Sequence, residues 1–115
     1  MKDFRDLQVW QKAHQLTLEV YQATGRFLRE EIYGLTSQIR KASASIAANI
    51  AEGCGRKGDA ELARFLHYAQ GSASELDYHL LLAHELHFLE EKTYLRLSAS
   101  VVEIKKMLSA FIANI

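Results

Sequence analysis

A chain of 115 residues in which 14 Lys and Arg balance 14 Asp and Glu carries no formal net charge. That balance argues against a general electrostatic grip on DNA or RNA, because phosphate neutralisation supplies most of such affinity. The length allows one core and not two, so residues 1–115 are read as a single domain.

The single Cys54 excludes an internal disulfide and suits a reducing compartment. The opening MKDFRDLQVW has no apolar signal core, and no apolar run approaches membrane-spanning length, so the cytoplasm is the expected location. With 49% hydrophobic residues, 24% charged and no proline, long uninterrupted helices are allowed.

The first helix is expected to begin at Asp3 or Asp6, either of which can cap free backbone N–H groups. Trp10, Ala13, Thr17, Val20, Thr24 and Phe27 then recur at three and four, with Leu16 and Tyr21 widening the stripe. Gly25 weakens the end, and 28–34 reads as the first connection.

Thr36 is the expected cap of the second helix, whose stripe is Leu35, Ile39, Ala42, Ile46, Ile50 and Gly53. Its opposite side carries Ser37, Ala44, Ala48 and Ala51 where a solvated helix would carry Lys and Glu. A helix small or apolar on two faces calls for a neighbour on each. Gly53-Cys54-Gly55 is expected to end this helix through a left-handed glycine.

Asp59 is the expected cap of the third helix. Leu62, Leu66, Ala69, Ala73, Leu76, Leu80, Ala83 and His87 make a 4-3-4-3 repeat over about seven turns. Gly71, Ser72 and Ser74 should make its middle slender enough for a neighbouring backbone to come close. Leu82 and Leu86 near its end add more apolar surface than one buried face requires. After a turn near 90–92, Tyr94, Leu97, Val101, Ile104, Leu108, Phe111 and Ile115 form the fourth stripe. Four helices with short connections predict an all-α, antiparallel up-down-up-down four-helix bundle.

Several runs resemble a known family of four-helix bundles, the 23S rRNA intervening-sequence proteins. They are Leu7-Gln8-Val9-Trp10 with Ala13, Tyr33 to Ala42, and Ser45-Ile46-Ala47-Ala48-Asn49-Ile50-Ala51-Glu52-Gly53 followed by Gly55-Arg56. Phe65-Leu66, Ala69, Gly71-Ser72 and Glu75-Leu76 complete the match. Family members commonly have prolines near Leu28 and Ala47. This chain has neither, and lacking the second should leave its second helix straighter.

The resemblance implies a ring-shaped homopentamer with no established enzyme activity. The family is also similar to the accessory protein of diversity-generating retroelements, which partners a reverse transcriptase. That relative is strongly basic, and this chain is neutral.

Gln38, Arg40, Lys41, Asn49, Glu52 and Arg56 could form a polar recognition surface on the second helix. The preferred reading is structural: Asn49 and Glu52 satisfy backbone or Arg groups within the bundle or between subunits. Of His14, His67, His79, His84 and His87, the pair His84 and His87 stands at i and i+3. A di-iron bundle needs two Glu-x-x-His motifs and a zincin spaces its histidines four apart, so no metal or cofactor is expected.

Cys54 lies beside Arg56 and Lys57 without a recognisable His-Asp arrangement, and Ser43 and Ser45 lack a base. No catalytic residue is therefore assigned. The candidates for partner or anion binding are Arg40, Lys41, Arg56, Lys57 and Arg64, the last three near the N–H groups that open the third helix. The function expected is a self-associating scaffold that multiplies a weak patch by repetition; the alternative is a nucleic-acid accessory protein.

Overall fold

A computed structural model describes residues 3–115. Four helices follow one another: α1 at Gln8–Thr24, α2 at Leu35–Gly55, α3 at Asp59–Glu85 and α4 at Glu91–Ala113. Two 3-10 turns, Phe4–Asp6 and Arg29–Glu31, precede α1 and bridge α1 to α2. Each helix packs against its neighbours in sequence, and α1 closes onto α4, while among the described residues the diagonal pairs bring no Cα atoms within 8 Å of each other. This cyclic order makes the antiparallel up-down-up-down bundle. Its long dimension of 43 Å is close to the length of α3, 27 residues at 1.5 Å each.

The stripes of α2 and α3 become core as their spacing predicts. Leu35, Ile39, Ala42, Ile46, Ile50 and Gly53 are buried, and so are Leu62, Leu66, Ala69, Ala73, Leu76, Leu80 and Ala83. On α4 the buried line is Leu97, Val101, Ile104 and Leu108. On α1 the centre of the stripe is displaced. Val9, Ala13, Leu16, Val20 and Thr24 are buried, whereas Trp10 is half-buried against Phe4 and His14, and Tyr21 is exposed.

The helix ends depart from expectation in instructive ways. Asp3 accepts from Arg5 N–H at 3.0 Å and caps the first 3-10 turn; α1 itself starts at Gln8, after Leu7. Thr36 does not cap α2. Gly34 holds that position, and the Glu31 carboxylate reaches back to accept from Leu35 N–H at 3.2 Å. Asp59 is the first residue of α3 and Gly58 precedes it at φ 87°, the left-handed region glycine enters without a Cβ penalty.

Gly53 and Gly55 do not end α2 by a left-handed turn, since the helix runs through both. Gly53 instead serves packing: a Cβ there would lie 3.0 Å from Phe65 Cβ and 3.3 Å from the Leu62 carbonyl. The close approach expected at Gly71 is therefore at Gly53, and Gly71 has nothing within 4 Å of where a Cβ would stand. Of the serines expected to slim α3, Ser72 contributes differently, through a hydrogen bond of 2.8 Å between its Oγ and that of Ser45 on α2.

His87 lies outside α3. The helix ends at Glu85, and His87 takes φ 65° while Phe88 N–H donates to Ala83 O at 2.9 Å and His87 N–H to His84 O at 3.0 Å. That pair of bonds is a Schellman closure with histidine where glycine is usual. Phe27 and Phe88, 5.5 Å apart, then tie the α1–α2 connection to the α3–α4 connection at one end of the bundle.

Candidate functional site

The five candidate cations fall into two groups, one toward each end of α2. Arg40 and Arg56 are sixteen residues apart, about 24 Å along a helix axis, so they cannot meet on one small ligand. Arg56, Lys57 and Arg64 stand at the α2–α3 corner, and Arg40 and Lys41 at the end where α1 leads into α2.

At the α2–α3 corner the two arginines converge on one ring. Arg56 lies 5.0 Å from the Phe65 centroid, and Arg64 lies 5.0 Å from the same centroid. Phe65 is held edge-on by Tyr68 at 5.4 Å, and Arg64 Nη1 donates to the Tyr68 hydroxyl at 3.1 Å. Each cation also has its own carboxylate: Arg56 to Glu52 at 2.7 Å, and Arg64 to both oxygens of Glu61 at 2.9 and 3.1 Å. The hydrogen bond from Arg64 lowers the Glu61 pKa below its ordinary value of 4.5, with the charges of Arg64 and Arg56 adding to it, and raises that of Arg64. Lys57 is exposed in the connecting turn. The corner is thus a guanidinium-on-aromatic surface on which Glu52 and Glu61 balance two of the three cations.

At the other end Arg40 is half-buried. Its Nε donates to Thr24 Oγ1 at 2.8 Å and its Nη2 to Tyr21 O at 3.3 Å, with the guanidinium 4.7 Å from the Tyr21 ring centroid. Lys41 and Gln38 are exposed. The polar residues midway along α2 are engaged inside the chain. Asn49 Nδ2 donates to Ser45 O at 2.8 Å and reaches Ser45 Oγ at 3.0 Å, while Ser43 Oγ donates to Arg40 O at 2.9 Å. Cys54 is buried.

His84 stacks face to face on Tyr94 at 4.4 Å, and His87 sits in the turn beyond it, so the two no longer share a helix face. Among the described residues no three His, Cys, Asp or Glu side chains gather as a metal would need. Also among the described residues, no helix is long and apolar enough to cross a membrane.

The alanine flank of α2 lies outside the core. Ser37 and Ala48 are exposed, and Ala44 and Ala51 are half-buried. At 100° per residue Gly55 falls on the same strip, with Lys41 and Glu52 along one edge of it. Leu82 packs against the core as a half-buried residue, and Leu86 is 49% exposed.

Sequence reasoning missed the Arg40–Thr24–Tyr21 arrangement and the Arg56–Phe65–Arg64 stack. Thr24 on the apolar stripe of α1 signalled a polar group at the core edge, but nothing in the spacing named its partners.

The family model for the 23S rRNA-intervening sequence protein matches residues 5–110. No curated protein matches the chain. A solved structure from Bacteroides thetaiotaomicron, described as a protein with unknown function from the S23 ribosomal protein family, superposes with a TM-score of 0.81. It is 23% identical, and the match covers 90% of this chain and 97% of that one, a likeness of fold.

Proposed function

This chain belongs to the 23S rRNA-intervening sequence protein family, whose function is unknown, and on that footing we propose that it is a self-associating scaffold without catalytic chemistry. Copies meet through the alanine flank of α2, five to a ring as the family resemblance implies, and each displays the Arg56, Lys57 and Arg64 corner outward. Repetition of one weak contact then gives affinity for an extended partner through effective concentration.

The observation that carries this reading is the composition of the flank. Ser37, Ala44, Ala48, Ala51 and Gly55 form a strip too small to hold water off by itself and too poor in charge to need water. Small residues let a second helix approach closely. The hydroxyls that a nucleophile would require are engaged elsewhere, Ser43 on Arg40 O and Ser45 on Ser72. The zero net charge, with Glu52 and Glu61 balancing two of the corner cations, weighs against the nucleic-acid reading.

The test is Ala48→Glu. The side chain is exposed in the single chain, so the fold accepts a carboxylate there, whereas a seam between copies does not. Light scattering should give the wild type a multiple of the 13.1 kDa chain mass and the variant a smaller species. Equal masses for the two proteins remove the flank as the seam. Replacing Arg56 and Lys57 with Ala should leave the assembled mass unchanged, because both lie in the corner and off the strip.

A further inference from the structure

A recess of about 260 Å³ lies beneath the α1–α2 connection, between the end of α1 and the first turns of α2. Its apolar wall is Phe27, Leu28 and Ile32, and its polar lining is Thr24, Arg29, Thr36 and Arg40. Leu28 and Ile32 are about half exposed, so an apolar rim faces the outside.

Thr36 is 4% exposed, and its Oγ1 is closed off from solvent without a hydrogen-bond partner. A helical threonine ordinarily donates to the carbonyl one turn back. Thr17 does so to Ala13 O at 2.9 Å and Thr24 to Val20 O at 2.8 Å. One turn before Thr36 stands Ile32, in the connection, and its carbonyl does not receive the hydroxyl. A buried donor left in this condition is the exception in folded proteins.

Arg40 is the second unusual group on the same wall. It is fixed by Thr24, Tyr21 O and the Tyr21 ring, and no ion pair engages it among the described residues. The neighbouring Glu31 carboxylate is committed to Leu35 N–H. A half-buried guanidinium held in place with no carboxylate of its own favours an anion from outside. Arg29 adds an exposed second cation to the lining, but the Phe27, Leu28 and Ile32 wall would desolvate a phosphate dianion and suits an aliphatic or aromatic body instead.

We propose that this recess binds a small monocarboxylate with a compact apolar body. The carboxylate accepts from Arg40 and, once the Thr36 side chain turns about its Cα–Cβ bond toward the recess, from the Thr36 hydroxyl, and the body lies against Phe27, Leu28 and Ile32. A free organic acid and the C-terminal residue of a peptide present the same chemistry.

The experiment titrates ¹⁵N-labelled protein with 4-methylpentanoate, with its uncharged amide, and with N-acetyl-glycyl-leucine. Saturable shifts centred on residues 24–40 are expected for the acid, with the amide binding about tenfold more weakly for want of the charge-assisted bonds. Arg40→Gln should lose affinity for the acid by about the same factor, and the isosteric Thr36→Val should bind it more weakly than the wild type. Tighter binding of the peptide than of the acid assigns the site to a chain terminus; equal or weaker binding assigns it to a free acid. No saturation, shifts centred elsewhere, or equal affinity for acid and amide overturns the proposal. The amide comparison uses wild-type protein, so it decides the matter even where Arg40→Gln does not fold.

Discussion

His87 and Glu61 show how a single side chain can be placed by the fold against its own preference or in keeping with it. At φ 65° a histidine Cβ crowds the neighbouring backbone, and the Schellman closure of α3 holds it there because Phe88 N–H and His87 N–H both find carbonyls. His87→Gly relieves that crowding and should raise stability by about 1 kcal/mol, read as a higher urea midpoint with an unchanged slope. Glu61 is the opposite case, a carboxylate gripped by both bonds of the Arg64 fork. Its folded pKa is depressed, so the interaction is complete above the ordinary value of 4.5 and is lost as pH falls through the lower folded value. Carbon-detected titration should place the Glu61 midpoint below 4.5, and Arg64→Gln should return it toward that value.

At the scale of the helices, α2 and α3 form the most extensive pair, and glycine decides how close they come. Gly53 faces the Leu62 carbonyl and Phe65 Cβ, atoms tied to the α3 backbone that cannot swing aside. Gly53→Ala should therefore cost about 1–3 kcal/mol in thermal unfolding, despite the better helix propensity of alanine. Gly71, in the middle of α3 and exposed, meets nothing. Gly71→Ala should stabilise by about 0.5–1 kcal/mol, since only the backbone entropy changes. Opposite signs for one substitution at two glycines separate close packing from propensity. Hydrogen bonds reinforce the packing where small residues meet: Thr17 Oγ1 lies 3.1 Å from Ser43 O between α1 and α2, and Ser45 meets Ser72 between α2 and α3.

For the molecule as a whole, the core is complete within one chain. Residues as large as Leu16, Ile39, Ile46, Leu66, Leu76 and Ile104 are fully buried without a second copy. The pairs that cross from α1 to α4, Lys12 with Glu103 at 2.8 Å and Arg96 with Glu19 at 3.2 Å, lie toward the surface and add little to it. A self-sufficient core allows the proposed seam to be broken while the bundle stands. If copies associate through the α2 flank, the melting temperature should rise with protein concentration in the wild type and become independent of it in Ala48→Glu. Calorimetry at two concentrations checks this, and an identical melting temperature in the wild type counts against association.

Read alone, the sequence determined the class of fold, the four helices and most of the core, because a stripe such as Leu62-Leu66-Ala69-Ala73-Leu76-Leu80-Ala83 depends only on helical periodicity. It placed the cations on their helices, and the spacing alone separates Arg40 from Arg56, but it could not tell that Arg56 shares Phe65 with Arg64 or that Thr24 and Tyr21 hold Arg40. Those outcomes depend on which residue lies opposite which. Thr36 lost its capping role to Gly34 and the Glu31 carboxylate, and His87 left the helix, because chain ends are settled by competing local hydrogen bonds worth about 1 kcal/mol each. The recess under the α1–α2 connection required the tertiary structure altogether: its walls come from α1, the connection and α2, and only their packing brings Thr24, Thr36 and Arg40 together.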